Sequence, residues 1–221
     1  MILLTLCSIW AIISHVPVLF TAYVAQSLGV VVEGVTLGFG PVLLTRKNWV
    51  LRAIPMNSSV RFKVTDSMPL LTAHEKKGAL DVQPAWVQLL VSVSIPACLL
   101  AIACVLLGVD ALRYFASGFA QLVSGALAPF TSAQTYLASY HAALADQSFG
   151  FVLGLTAAKM AAFHLLPFSS VGGFQLVMTV VQAFNARALT FPRTERLAVW
   201  LTLLLIASWA LAAFVYVVSP S

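Results

Sequence analysis

The chain has 221 residues, of which 61% are hydrophobic and 9% charged, whereas soluble domains are about 45–50% apolar and about 25% charged. With a mean hydropathy of +0.97, this composition excludes a soluble globular protein and points to an integral membrane protein with several spans. The net charge of +5 reports orientation in such a chain before it reports any polyanionic partner. With no basic run carrying interleaved aromatics, nucleic-acid binding is set aside.

The first charge in the chain is Glu33, so residues 2–31 are long enough to cross a bilayer with some tilt. No basic segment precedes this stretch, and it exceeds a signal-peptide core, so it is expected to remain as a membrane helix. Residues 33–85 form a polar insertion that holds seven of the twelve basic residues, Arg46, Lys47, Arg52, Arg61, Lys63, Lys76 and Lys77. Its short apolar runs, broken by Gly, Pro, Asn and Ser, predict a small β-hairpin or sheet. Residues 86–109 are a second span. The region 110–148 has one basic residue, Arg113, with many Gly and Ser, Pro129 and the run TYLASYHAA; it reads as amphipathic or re-entrant helices lying against the bilayer. A third span starts near Phe149, is interrupted at LLPFSSVGG, and resumes to about residue 185. Pro and Gly at that depth are tolerated where the broken backbone is buried in protein or lines a cavity. The last span covers 197–218. The expected fold is one α-helical membrane domain over 1–221, with about four transmembrane helices, a β insertion and a broken third span.

Orientation follows from the basic residues. The first connection carries seven, the second only Arg113, and the short 186–196 turn Arg187, Arg193 and Arg196. The 33–85 insertion and the 186–196 turn are therefore expected to be cytoplasmic, with 110–148 external and both termini outside. Cys7, Cys98 and Cys104 are unclustered and lie in apolar stretches, which suits small core residues better than a disulfide framework or a thiolate metal site.

Four segments in order then resemble a known family. VAQSLGVVVEGVTLGFGP contains Gly29, Glu33 and the Gly38-Phe39-Gly40 turn; IPMNSSVRF follows, then SIPACLLAI at 94–102, then HLLPFSSVGGFQL at 164–176. Together they resemble the site-2 protease family of intramembrane zinc metalloproteases. There the corresponding segments are the stretch after the HExxH helix, the strand IPLGGYVKM, AGPxxN and NLLPxPxLDGGxxL. The resemblance covers most of the chain, without the periplasmic peptide-binding insertion of many members. It implies a bacterial inner (cytoplasmic) membrane location and a groove, bordered by the IPMNSSVRF strand, that receives a partner's transmembrane segment.

Two His on one helical turn and a distant Asp hold the zinc of that family, and a Glu beside the first His is the general base. Ungapped alignment backward from Gly29 puts HExxH on residues 17–21, so Pro17 and Thr21 replace the His ligands and Val18 the Glu. A two-residue slip would bring in His15 but rotates the helix face by roughly 200° and still lacks the base and second His. Counting from His164, the ligand Asp falls on Gly172, or on Val171 with one deletion. Leu99 replaces the Asn of AGPxxN and Ile95 its Gly. The resemblance thus implies a pseudoprotease with no catalytic residue, no metal and no cofactor.

HEKKG at 74–78 mimics part of HExxH, but Gly78 stands where the second His belongs, and a solvated charge cluster is the plainer account. His15 and His164 are intramembrane polar candidates, either as remnants near the former metal position or as back-bonded neutral imidazoles. Lys159 lies ten residues past Phe149, roughly 15 Å along a helix, where an ionisable residue is a functional candidate unless it snorkels. Met56, Asn57, Ser58, Ser59 and Val60 are the candidate partner-binding residues. The expected function is a non-enzymatic binding or scaffold subunit for a membrane-protein partner. The alternatives are a metalloprotease with unrecognised ligands and a transport subunit using the broken third span and Lys159.

Overall fold

In hydrocarbon every backbone N–H and C=O must be satisfied within the protein, so long uncharged segments fold as helices. The structure, a computed structural model, describes residues 2–65, 76–166, 173–184 and 192–218. Seven helices are described: α1 (Ile2–Ser27), α2 (Ala85–Leu107), α3 (Asp110–Leu127), α4 (Ser132–Asp146), α5 (Phe149–Leu165), α6 (Gly173–Phe184) and α7 (Pro192–Val218). Three segments are long and apolar enough to cross a membrane: Ile2–Ser27, Ala85–Leu107 and Arg196–Val218. The stretch read as a broken third span is built of two shorter helices. α5 has 17 residues and α6 has 12, so at about 1.5 Å per residue neither alone covers a hydrocarbon core of roughly 30 Å. The break between them, with Pro167, Val171 and Gly172, lies outside the described residues.

The insertion forms a four-stranded sheet: β1 (Val32–Leu37), β2 (Phe39–Arg46), β3 (Trp49–Ile54) and β4 (Ser59–Phe62). The strand order is β2-β3-β1-β4, with β1 parallel to β3 and the other pairs antiparallel. Gly38 makes the β1–β2 turn at φ +82°, and a side chain there would run into the Ile54 carbonyl, so only glycine fits.

Two contacts locate the sheet against the helices. Ser14 Oγ and Ser58 Oγ lie 2.8 Å apart, and the Ser58 N–H donates to Ser14 Oγ at 3.1 Å. Ser58 Oγ also accepts from the Gly38 N–H, at 3.1 Å. Ser14 is near the middle of α1, about 20 Å from its C-terminal end at 1.5 Å per residue. The ends of the strands at Gly38 and Ser58 therefore lie beside the middle of α1, and the sheet does not project beyond it. Packing gives the same picture: Val32 and Val35 are buried with Val18, Ala22 and Ala25 of α1 and Val87 and Val91 of α2. Apolar side chains on the outer strands, such as Phe39, Val42, Leu43 and Leu44, are left exposed, as suits a surface facing lipid.

α5 is the innermost helix, buried over Val152–Ala158 and at Ala161 and Ala162. Lipid gives apolar side chains no reason to prefer protein neighbours, so membrane helices associate through close packing, which small residues permit. Gly118 of α3 sits against α5 so closely that an added Cβ would come within 3.0 Å of Ala162 Cβ and 3.4 Å of Lys159 Cα. α3 and α4, from the region read as amphipathic or re-entrant, form a helical hairpin. Tyr140 Oη of α4 is 2.9 Å from Thr156 Oγ1 of α5. Trp209 Nε1 of α7 donates to the Leu122 carbonyl of α3 at 3.0 Å, and Gln134 Nε2 of α4 to the Ala212 carbonyl at 3.0 Å. The hairpin is thereby wedged between α5 and α7.

Candidate functional site

A cleft of about 830 Å³ opens between α1, α2, the C-terminal part of α5 and the β4 end of the sheet. α1 supplies Trp10, Ser14, Pro17, Val18 and Thr21, which recur at helical spacing on one face. The adjoining wall, tied to α1 through Ser14 and Ser58, is the β3–β4 connection and β4 itself, Met56 to Val60. Ser92, Ile95 and Pro96 come from α2, and Met160, Phe163 and His164 from α5.

The cleft therefore unites the three α1 positions aligned on HExxH, all five candidate partner-binding residues and His164. Trp10, Ser14, Ser92 and Phe163 line it too and were not singled out from sequence, and Phe39 entered there only within the Gly38-Phe39-Gly40 turn. Ser14 was within reach of such reasoning, because it lies on one helical stripe with Trp10, Pro17 and Thr21. Its partner Ser58 is 44 residues away, and no periodicity connects the two.

The chemistry of the α1 positions is that of packing. Pro17 and Val18 are buried and carry no donor atom for a metal. Thr21 is 3% exposed, and its Oγ1 is 2.7 Å from Ser94 Oγ; Ser94 in turn donates to the Val91 carbonyl at 2.6 Å. That hydroxyl pair joins α1 to α2. Among the described residues no three His, Cys, Asp or Glu side chains come together as a metal-ligand group. Pro17, Val18 and Thr21 do not fit a zinc ion.

His15 is not among the residues lining the cleft. Its Nδ1 is 2.6 Å from the Ala11 carbonyl one turn back, a local bond that holds the ring against its own helix. His164 lines the cleft beside Phe163, at a ring-centroid distance of 6.0 Å. Lys159 is also outside the cleft: its Nζ donates to Gln121 Oε1 of α3. Gln121 was not anticipated, although an amide within the Ser117, Gln121, Ser124 stripe of α3 is a readable signal.

The cleft does present main-chain polar groups. Pro17 and Pro96 lack an N–H, so the carbonyls of Ile13 and Ser92, four residues earlier, receive no helix donor from them. Both Ile13 and Ser92 line the cleft. β4 is an edge strand of the sheet. Val35 of β1 gives its N–H to the Asn48 carbonyl at 2.8 Å, on the side away from β4. Val35 and its register partner Val60 are thus a non-hydrogen-bonded pair, and the Val60 N–H and C=O point outward from the free edge. By alternation those of Ser59 and Arg61 point toward β1.

No protein-family model matches the chain, and no curated protein matches it.

Proposed function

We propose that the chain is a catalytically inactive relative of the site-2 proteases, acting as a membrane binding or scaffold subunit that receives a partner's transmembrane segment in this cleft. The observation that carries the reading is the outward-facing N–H and C=O of Val60 on an edge strand beside the middle of α1. An extended segment pairing with that edge gains main-chain hydrogen bonds, independent of any metal. In a low-dielectric setting such bonds matter, because an unsatisfied backbone group costs several kcal/mol (roughly 2–7). Ile13 and Ser92, whose carbonyls the two prolines release, line the same cleft as further candidate acceptors.

In this reading α5 and α6 together make a fourth, broken crossing. The protein sits in a bacterial inner membrane with both termini outside, and the end of the sheet carrying the basic residues faces the cytoplasm. The loss of donor atoms at Pro17 and Val18, with Thr21 tied to Ser94, supports an inactive protein.

Photo-crosslinking residues at Asn57 and Ser59, in full-length protein within its native membrane, test the proposal. The expected product is a covalent adduct to a transmembrane segment of a second protein. It should be lost in Val60→Pro, which removes the outward donor, while insertion and folding persist. Capture of only lipid or the protein's own chain would overturn the reading.

A further inference from the structure

A second concave site lies at the far end of the sheet. The β2–β3 turn and the strands beside it enclose a pocket of about 520 Å³. Its walls are unequal. Leu37, Leu51 and Leu44 stand in register across β1, β3 and β2. Two residues nearer the turn, and so on the same face, Arg46 is paired with Trp49. Lys47 follows at the tip, held at φ +53°. All six line the pocket. It has an apolar floor and a doubly cationic rim.

The depth of this pocket can be read from α1. Gly38 lies beside the middle of α1, through Ser58 and Ser14. From Gly38 back to Val32 the chain rises roughly 20 Å at about 3.3 Å per residue, matching the distance from Ser14 to the end of α1. Asn48 at the turn donates through Nδ2 to the Val32 carbonyl at 3.2 Å. In register the turn is level with Gly34, roughly 7 Å inside the end of a membrane-crossing helix and so near the headgroups, and the leucine row lies three residues deeper.

We infer that the β2–β3 hairpin is a binding site for one anionic phospholipid, with its phosphate on Arg46 and Lys47 and an acyl chain along Leu44, Leu51 and Leu37. The guanidinium offers a planar fork for phosphate oxygens and the ammonium adds a point charge. Trp49, one residue deeper than the turn, suits the membrane interface that its amphipathic ring favours. Charge complementarity selects the occupant. Among the described residues the one salt bridge joins Arg61 and Glu33, at 3.7 Å, so no described acid neutralises Arg46 or Lys47. A zwitterionic lipid offers the same phosphate but brings a quaternary ammonium beside the two cations, whereas an anionic lipid adds net negative charge.

The test is native mass spectrometry of the full-length protein released from nanodiscs containing equal phosphatidylglycerol and phosphatidylcholine. The expected result is one retained phosphatidylglycerol. In R46Q/K47Q the preference over phosphatidylcholine should fall about thirtyfold, from roughly 1 kcal/mol for each cation. Lys76 and Lys77 are exposed and lie on the same insertion, so K76Q/K77Q makes the same charge change away from the pocket and should keep the preference. Equal retention of the two lipids, an unchanged preference in R46Q/K47Q, or an equal loss in K76Q/K77Q would each overturn the site.

Discussion

Lys159 and Gln121 provide a test that separates a structural from a partner-binding role for the charge in α5. The Nζ of Lys159 donates to Gln121 Oε1 across the α3–α5 contact, where Gly118 brings the two backbones close. A hydrogen bond to a charged group contributes about 1.5–3 kcal/mol, and an orphaned polar partner costs about 1–3 kcal/mol. Gln121→Leu, which leaves the ammonium without this acceptor, should therefore destabilise by about 2 kcal/mol. Lys159→Met leaves only a neutral amide and should cost about 1 kcal/mol. With both changed, two apolar side chains meet, and the double variant should lose about 1 kcal/mol rather than the summed ~3 kcal/mol. The coupling energy of ~2 kcal/mol is well above the ~0.5 kcal/mol scatter of independent sites. Reversible unfolding in mixed micelles, followed by circular dichroism for the four proteins of the cycle, measures it. Additive effects would refute the reasoning, and the charge would then have its main partner elsewhere. A Lys159→Met variant that retains folding but loses an associated protein would point to an acidic group on that protein.

Two further outcomes are expected. Full-length protein purified from its native membrane should contain no stoichiometric zinc by elemental analysis, because Pro17, Val18 and Thr21 offer no ligand set; about one zinc per chain, lost on changing His15 or His164, would overturn the inactive reading. In a background with Cys7, Cys98 and Cys104 replaced by alanine, a membrane-impermeant maleimide added to intact cells should label a cysteine at Gln147 and not one at Lys76, and the reverse pattern would invert the proposed topology.

The helices and their order could be read from sequence because lipid imposes a simple demand. An uncharged run must satisfy its own backbone, and the segments at 2–31, 86–109 and 197–218 have no alternative to helix. The count of crossings was less legible, since α5 and α6 lie on either side of a Pro-Gly segment and hydropathy does not distinguish one broken span from two short helices. The sheet was legible as a sheet, through Gly38, Gly40 and the short apolar runs, but its location was not. Its basic residues favour a polar insertion lying outside the membrane, and seven cations in one connection reinforce that impression. What decides its depth is the set of hydroxyl bonds among Ser14, Ser58 and Gly38, joined across 44 residues, together with valines on one face that pack on α1 and α2. Long-range pairs of small polar residues leave no periodic trace.

That placement also changes what the cleft means. If the sheet stood in water, its β4 edge would be hydrated and would gain little from a partner strand, because pairing there exchanges one set of hydrogen bonds for another. Beside the middle of α1 the same edge faces a far poorer solvent, where an outward N–H and C=O at Val60 retain most of their desolvation penalty until something pairs with them. Pro17, Val18 and Thr21 line the α1 wall of the cleft and bring no metal-ligand set to it. The prolines at 17 and 96 withdraw helix donors from the carbonyls of Ile13 and Ser92, two residues of its lining. In the proposed reading the affinity of the cleft arises from main-chain groups, which need neither a metal nor a catalytic side chain.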